Sequence, residues 1–271
     1  MVCLHRLGRL GNVLSQYCFA RVLAGRFCYT LEACPIAGFS GSSKRIYGEE
    51  SFCPEVMWTG HWPREAYSGR KLERLELFQA PGVRVTLRGL FQRFEYISDI
   101  RDEVRKEWMR MNDPLSKRPS GDFAICLHVA DGDREVDKSA AGKEGGNTAD
   151  GVLNEAEIRR LAKTVPHERI YIVTDEPGHP MIESLKDLHP VIQAEGGMKD
   201  FRFIHSFQKV AISQNASDWW AAFLGAGREI YFPKMDRGPW SHPEPAVLAH
   251  DPAHWGIDLR VPDEERYIYD W

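Results

Sequence analysis

Between Asp200 and Pro233 the chain reads DFRFIHSFQKVAISQNASDWWAAFLGAGREIYFP, and no other stretch of the 271 residues restricts the fold as tightly. Phe201, Ile204 and Phe207 fall at helical spacing. Val210-Ala211-Ile212 is a short run of strand character, and Ser213-Gln214-Asn215-Ala216-Ser217 is a polar turn. A second helical pattern runs from Asp218 to Leu224, closed by Gly225 and Gly227; Glu229-Ile230-Tyr231-Phe232 is a second strand, ending at Pro233. Helix, strand, polar turn, helix, strand is the unit from which parallel α/β sheets are built. Open sheets of this kind bind ligands beyond the carboxyl ends of their strands, which makes the turn from Ser213 to Ser217 a candidate binding turn. Ser217 or Asp218 is expected to cap the helix, whose first N–H groups then favour a phosphate. An ordinary well-capped connection explains the same residues without a ligand.

The N-terminal end repeats the theme. Val2 to Leu7 has strand character, Gly8-Arg9-Leu10-Gly11-Asn12 makes a glycine-rich turn, and from Val13 the apolar residues Leu14, Tyr17, Cys18, Val22 and Leu23 recur at helical spacing. Glycines there would let a phosphate or sugar approach the backbone, or would serve only a tight turn. Gly38 to Pro63 reads as an irregular connection, with Trp58, Trp62 and Tyr67 nearby as stacking surfaces for a sugar or as partly buried packing residues. Val83 to Leu87 alternates as a strand does. A helix follows from Ser98, capped by Ser98 or Asp99, with Ile100, Val104 and Trp108 on one face. Asn112 to Asp122 is polar, with two prolines and a glycine, and reads as a linker between two α/β halves, 1–112 and 121–271.

A hydrophobic fraction of 43% supplies a globular core, and a net charge of −4 with pI about 6.2 argues against a nucleic-acid or anionic-membrane surface. No run approaches the roughly 20 apolar residues of a membrane span, and no secretory signal is expected, because Met1 leads almost at once into the turn at Gly8. Cys3, Cys18, Cys28, Cys34 and Cys53 crowd the first fifth, Cys126 stands in a later apolar run, and no CxxC pair occurs. Reduced, mostly buried thiols fit this usage better than a disulfide framework or a metal site.

In the second half, Phe123 to Val129 is strand-like and leads into His128-Val129-Ala130-Asp131-Gly132-Asp133. Asp131, Asp133, Glu135 and Asp137 alternate through this loop. They match no complete calcium-loop spacing, and a solvated acidic loop accounts for them as well as a metal does. Glu135 to Asp150 is small, charged and glycine-rich, a lid or a disordered segment. Asn154 to Lys163 is a helix with Ile158 and Leu161 inward. Arg169 to Val173 is a strand whose end carries Asp175, placed either to accept hydrogen bonds from a base or ribose or to cap the next helix. Beyond Pro233 the chain is rich in Trp, Pro and His and shows no periodic element before Tyr267-Ile268-Tyr269.

Several of these blocks, in this order, resemble the α-1,2-fucosyltransferases of glycosyltransferase family 11. GRLGNVLSQYCFARVLA is similar to the opening block of that family at Gly8, Leu10, Gly11, Asn12, Gln16, Tyr17 and Ala20, with Arg9, Val13 and Ser15 departing from it. LRGLFQRFEY resembles a second block, with Leu90 in place of a tyrosine. The stretch from Ser213 through Trp219-Trp220-Ala221-Ala222 to Ile230-Tyr231-Phe232-Pro233 resembles the last. The family motif His-x-Arg-Arg-Gly-Asp stands here as His128 to Asp133, with Ala130 and Asp131 where the family has arginines that help hold the donor diphosphate. Charge-assisted hydrogen bonds contribute about 1.5–3 kcal/mol each, so this loss weakens a diphosphate site unless Arg6, Arg134 or Lys138 substitutes.

The resemblance implies a GT-B-like fold, two Rossmann-like α/β domains facing a cleft, with the acceptor side in 1–112 and the donor domain and C-terminal tail in 121–271. It implies inverting transfer of a sugar, fucose as first guess, from a nucleotide diphosphate donor such as GDP-fucose to a glycan hydroxyl, without a metal or other cofactor. Asp133 is the candidate catalytic base and His128 its rival. Gly8, Gly11, Asn12, His128, Asp175, Ser213, Asn215 and Ser217 are the candidate donor-binding residues. The expected partners are a nucleotide sugar and a glycan acceptor, with neither nucleic acid nor an integral membrane segment, in a cytoplasmic enzyme of microbial or viral origin. The missing arginines leave two alternatives: a transferase using another nucleotide sugar, or a catalytically silent fold-mate that binds a glycan or a partner enzyme.

Overall fold

A computed structural model of the chain describes residues 2–4, 8–26, 30–43, 55–59, 84–88, 97, 100–128, 153–213, 215–227 and 229–231. They divide into two compact units between Asp113 and Pro114, each with its own parallel sheet and helices.

In the first unit the strands are β1 (Val2–Leu4), β2 (Leu31–Glu32), β3 (Glu55–Thr59) and β4 (Arg84–Arg88), in the order β2-β1-β4-β3, all parallel. Strand β3 lies inside the stretch expected to be irregular. Its Val56-Met57-Trp58 core is short and flanked by turn-forming residues, and pairing along β4 gives it its extended form. Helix α1 (Leu10–Arg26) begins three residues before the expected start, so Gly11 and Asn12 belong to its first turn and are buried there. The helix is buried more widely than a one-sided stripe, since Gln16, Phe19 and Ala20 are covered along with Leu14, Tyr17 and Cys18. On its partly covered side Arg21 lies 4.3 Å over the Trp108 ring and donates to the Gly41 carbonyl. Gly41 has to be glycine: a Cβ there would stand 1.8 Å from the Glu107 carbonyl oxygen.

Trp108 closes a single wide π turn (Val104–Trp108) that continues the short helix α2 (Arg101–Glu103). Val104 and Trp108 point inward as their spacing predicts, and Trp108 Nε1 donates to Glu103 at 2.7 Å. Ser98 and Asp99, the expected caps, lie outside the described residues, and Ile100 in the capping position offers no side-chain bond. Residues 110–112 then return to 38–40, with Ser40 N–H donating to Arg110 and Asn112 N–H to Gly38, each at 2.9 Å.

The second unit holds β5 (Asp122–Leu127), β6 (Arg169–Thr174), β7 (Val191–Gln193), β8 (Lys209–Ala211) and β9 (Glu229–Tyr231). All pair in parallel, in the order β7-β6-β5-β8-β9. The chain starts in the middle, runs outward to β7, then crosses back to β8 and on to β9, which is the doubly wound Rossmann order. Every residue of β5 is buried, as a central parallel strand requires. Phe123, Ile125 and Leu127 meet Ile158 and Leu161 of α3 (Glu155–Thr164) in one apolar cluster. A reciprocal capping box starts that helix: Glu157 N–H donates to the Asn154 side chain at 3.0 Å and Asn154 N–H to the Glu157 carboxylate at 2.8 Å.

Ala124 pairs with Tyr171 of β6, whose ring packs edge-on to Phe203 and Phe207 at 5.7 and 5.2 Å. Arg118, at the end of the expected linker, covers these three rings. Phe203 belongs to α5 (Gly197–His205), which packs on α6 (Ala216–Leu224). The two approach so closely that a Cβ on Gly225 would stand 2.3 Å from the His205 carbonyl oxygen. Trp219 and Trp220 are buried in α6 and pack against Phe223, so they are core residues rather than stacking platforms. Between β6 and β7 lies the short helix α4 (Pro180–Ser184).

Candidate functional site

Strand order decides where the second unit can hold a ligand. From β5 the chain leaves toward β6; from β8 it leaves toward β9, on the other side. The connections diverge at the carboxyl ends of these neighbouring strands, the point at which open sheets of this order hold their ligands. His128 is the first residue after β5. Ser213, Asn215 and the first turn of α6 follow β8.

Three contacts build this point. The buried Ser213 hydroxyl donates to the Cys126 carbonyl at 2.9 Å, tying the end of β8 to β5. Asn215 caps α6, its side-chain oxygen accepting from Ser217 N–H at 2.8 Å and Asp218 N–H at 3.3 Å. The cap therefore stands two residues before Ser217 and three before Asp218, the residues expected to provide it. Asn215 has the extended backbone that a cap requires, whereas the other two already lie in the helix. Asp218 turns instead to His128: its carboxylate stands 2.8 Å from His128 Nδ1, with the aspartate 1% and the histidine 14% exposed.

Burial alone would push the His128 imidazole toward its neutral form. The Asp218 carboxylate, by charge and by hydrogen bond, overrides that, helped by Asp175 and Asp200, and the pKa is raised from 6.5 to about 9. At neutral pH the ring is an imidazolium. Nδ1–H donates to Asp218, and Nε2–H makes no hydrogen bond among the described residues. Beside it, burial first, then the charges of Asp218 and Asp200, push the Cys126 thiol well up and keep it protonated.

Asp175 lies exposed at the end of β6. It does not cap the next helix: His179 does, its Nδ1 accepting from Met181 N–H. Asp200, on α5, is buried and accepts from the Gln193 side chain and from Glu195 and Gly196 N–H, which pins the loop after β7.

Of the residues singled out in the sequence, His128, Asp175, Ser213, Asn215 and Ser217 gather at the carboxyl ends of β5, β6 and β8. Gly8, Gly11 and Asn12 form a separate group in the first unit, after β1. There Gly8 has φ of +76°, and a Cβ on it would stand 2.3 Å from the Asn12 amide nitrogen. Asp133, Ala130, Asp131 and the rest of the acidic loop lie outside the described residues, as do Arg6, Arg134, Lys138, Trp62 and Tyr67. The residue that sequence reasoning passed over is Asp218, considered only as a cap. A carboxylate opening so apolar a helix demands a buried partner, and that demand was the available signal.

Among the described residues no group of three or more His, Cys, Asp or Glu side chains is placed to hold a metal, and no helix is long and apolar enough to cross a membrane. The described thiols, Cys18, Cys34 and Cys126, are free; Cys18 and Cys126 are buried and Cys34 is exposed. No protein-family model and no curated protein matches the chain. One solved structure, titled "Crystal structure of NodZ alpha-1,6-fucosyltransferase soaked with GDP-fucose", is similar over 83% of this chain and 92% of its own, at 16% identity and a TM-score of 0.40. A score of that size does not establish a common fold.

Proposed function

We propose that the chain is a glycosyltransferase of GT-B type that moves a sugar from a nucleotide diphosphate donor to a glycan hydroxyl with inversion. The observation that carries this reading is the placement of His128 beside Ser213, Asn215 and Ser217 at the switch point of a sheet in Rossmann order. In this reading the second unit holds the donor and the first presents the acceptor, with Gly8, Gly11 and Asn12 as further donor-binding candidates. His128, as an imidazolium, offers a proton-bearing cation to the leaving diphosphate and cannot itself accept a proton. The base that takes the acceptor proton is then Asp133. GDP-fucose is the first candidate donor, neither a metal nor another cofactor is needed, and the enzyme works in the cytoplasm.

One observation favours the second reading, a changed donor or none. The Asp218 carboxylate already bonds the His128 ring and partly neutralises its charge, which leaves less of it for a diphosphate. Thermal unfolding with GDP, UDP, ADP and GDP-fucose separates the two. A ligand at 100 times its Kd stabilises the fold by about 2.7 kcal/mol. A raised Tm with GDP supports the fucosyl donor, a raised Tm with another nucleotide alone changes the donor, and no shift with any of them supports the silent fold-mate.

A further inference from the structure

We propose that Asp218 is a positioning residue that holds His128 as a fixed hydrogen-bond donor to the donor diphosphate. The inference rests on the glycosyltransferase reading and adds a role for a residue that the motif did not mark.

Three features converge on it. The contact is short, 2.8 Å, and Asp218 is fully buried, so the ring is held by Nδ1 in one orientation. The pair joins the end of β5 to the first turn of α6, the helix that follows the neighbouring strand β8. Nε2 is the remaining donor and makes no hydrogen bond among the described residues, while the side chain keeps a 14% opening to solvent. An imidazolium fixed through one nitrogen presents the other as a directed N–H, a geometry suited to one phosphoryl oxygen. The titratable groups acting on the ring are Asp218 on α6, Asp175 after β6 and Asp200 on α5. All three carboxylates favour the charged ring. The donor therefore persists through neutral pH and is lost as pH rises through about 9, where Nε2 becomes an acceptor.

The test is calorimetric binding of GDP, UDP, ADP and inorganic pyrophosphate to the full chain and to Asp218→Asn, between about pH 6 and pH 8. The His128 ring protons are followed by NMR in the same samples. The wild-type affinity should vary across this range only as the ligand's own phosphate ionises, at about pH 6. In Asp218→Asn the ring should titrate near its ordinary value, and the affinity should fall about tenfold as pH rises. Equal pH dependence in the two proteins overturns the proposal. If no nucleotide binds but pyrophosphate binds with this dependence on Asp218, the nucleotide-sugar reading fails and the positioning role stands. If nothing binds, both fail. Should Asp218→Asn not fold, His128→Gln takes its place: it should weaken pyrophosphate binding about tenfold at neutral pH, and unchanged affinity overturns the proposal.

Discussion

After β1 the chain enters α1 through Gly8, a residue in left-handed conformation pressed against Asn12. After β8 it enters α6 through Ser213 and Asn215, which bond to the Cys126 carbonyl and to the first helical N–H groups. Both turns join a parallel strand to a helix. The first fits by having no side chain at one position; the second fits by having the right polar side chain at each of two. A turn made by steric exclusion responds to volume and is indifferent to pH. A turn made of hydrogen bonds, with Asp218 and His128 at its edge, carries its stability in protonation and can exchange partners with a ligand.

The largest effect that can break this contrast is a pH profile. The folded pKa of His128 is raised to about 9 from 6.5, so its contribution is fully present below about pH 6.5 and is lost as pH rises through about 9. The loss is roughly 3 kcal/mol, an order-of-magnitude figure from about 1.4 kcal/mol per unit. Urea unfolding at about pH 6 and pH 10 should show it in the wild type and not in Asp218→Asn; identical profiles would remove the electrostatic half of the comparison. Next comes Gly8→Ala, which forces a side chain into left-handed backbone and displaces Asn12. It should cost about 2 kcal/mol, independent of pH, in the same measurement. A pH-dependent loss there would mean that the first turn is not purely steric.

Asn215→Ala removes the α6 cap and should cost about 1 kcal/mol, whereas Asn215→Asp should retain most of the stability. Gly25→Ala sharpens the steric argument from the opposite side. Gly25 lies within α1, with nothing within 4 Å of a Cβ placed on it. Its replacement should stabilise the chain by about 0.5–1 kcal/mol, read as a raised Tm.

What the sequence made legible follows from how local each determinant is. Strands β5 and β6 are continuous apolar runs between polar boundaries, and α3 announces itself with Asn154 and Glu157 three residues apart, so these elements stand where their patterns put them. Strand β3 does not announce itself, because Gly, Ser and Pro surround its few apolar residues and its extended form comes from pairing with β4. The cap of α6 was misplaced because Asn215, Ser217 and Asp218 are all good capping types, and only backbone conformation distinguishes them. Strand order was beyond local reading, since β5 pairs with β8 through register set by the intervening chain. The His128–Asp218 contact joins residues 90 apart. Its two halves were each visible, and the fold alone supplies their meeting.

The central position of β5 has a consequence for how the protein is made. One edge of this strand is covered by β6 and the other by β8, and the chain delivers them in that order. At ribosomal speeds of roughly 5–20 residues per second, the interval between completing β5 and completing β8 is on the order of ten seconds. Throughout it, Phe123, Ala124 and Ile125 present an open edge to whatever extended segment is near, including the same segment of a neighbouring nascent chain. The central strand of the finished sheet is thus an adhesive edge of the unfinished one. Chains halted before Lys209 are the ones most exposed to aggregation or to capture by a chaperone.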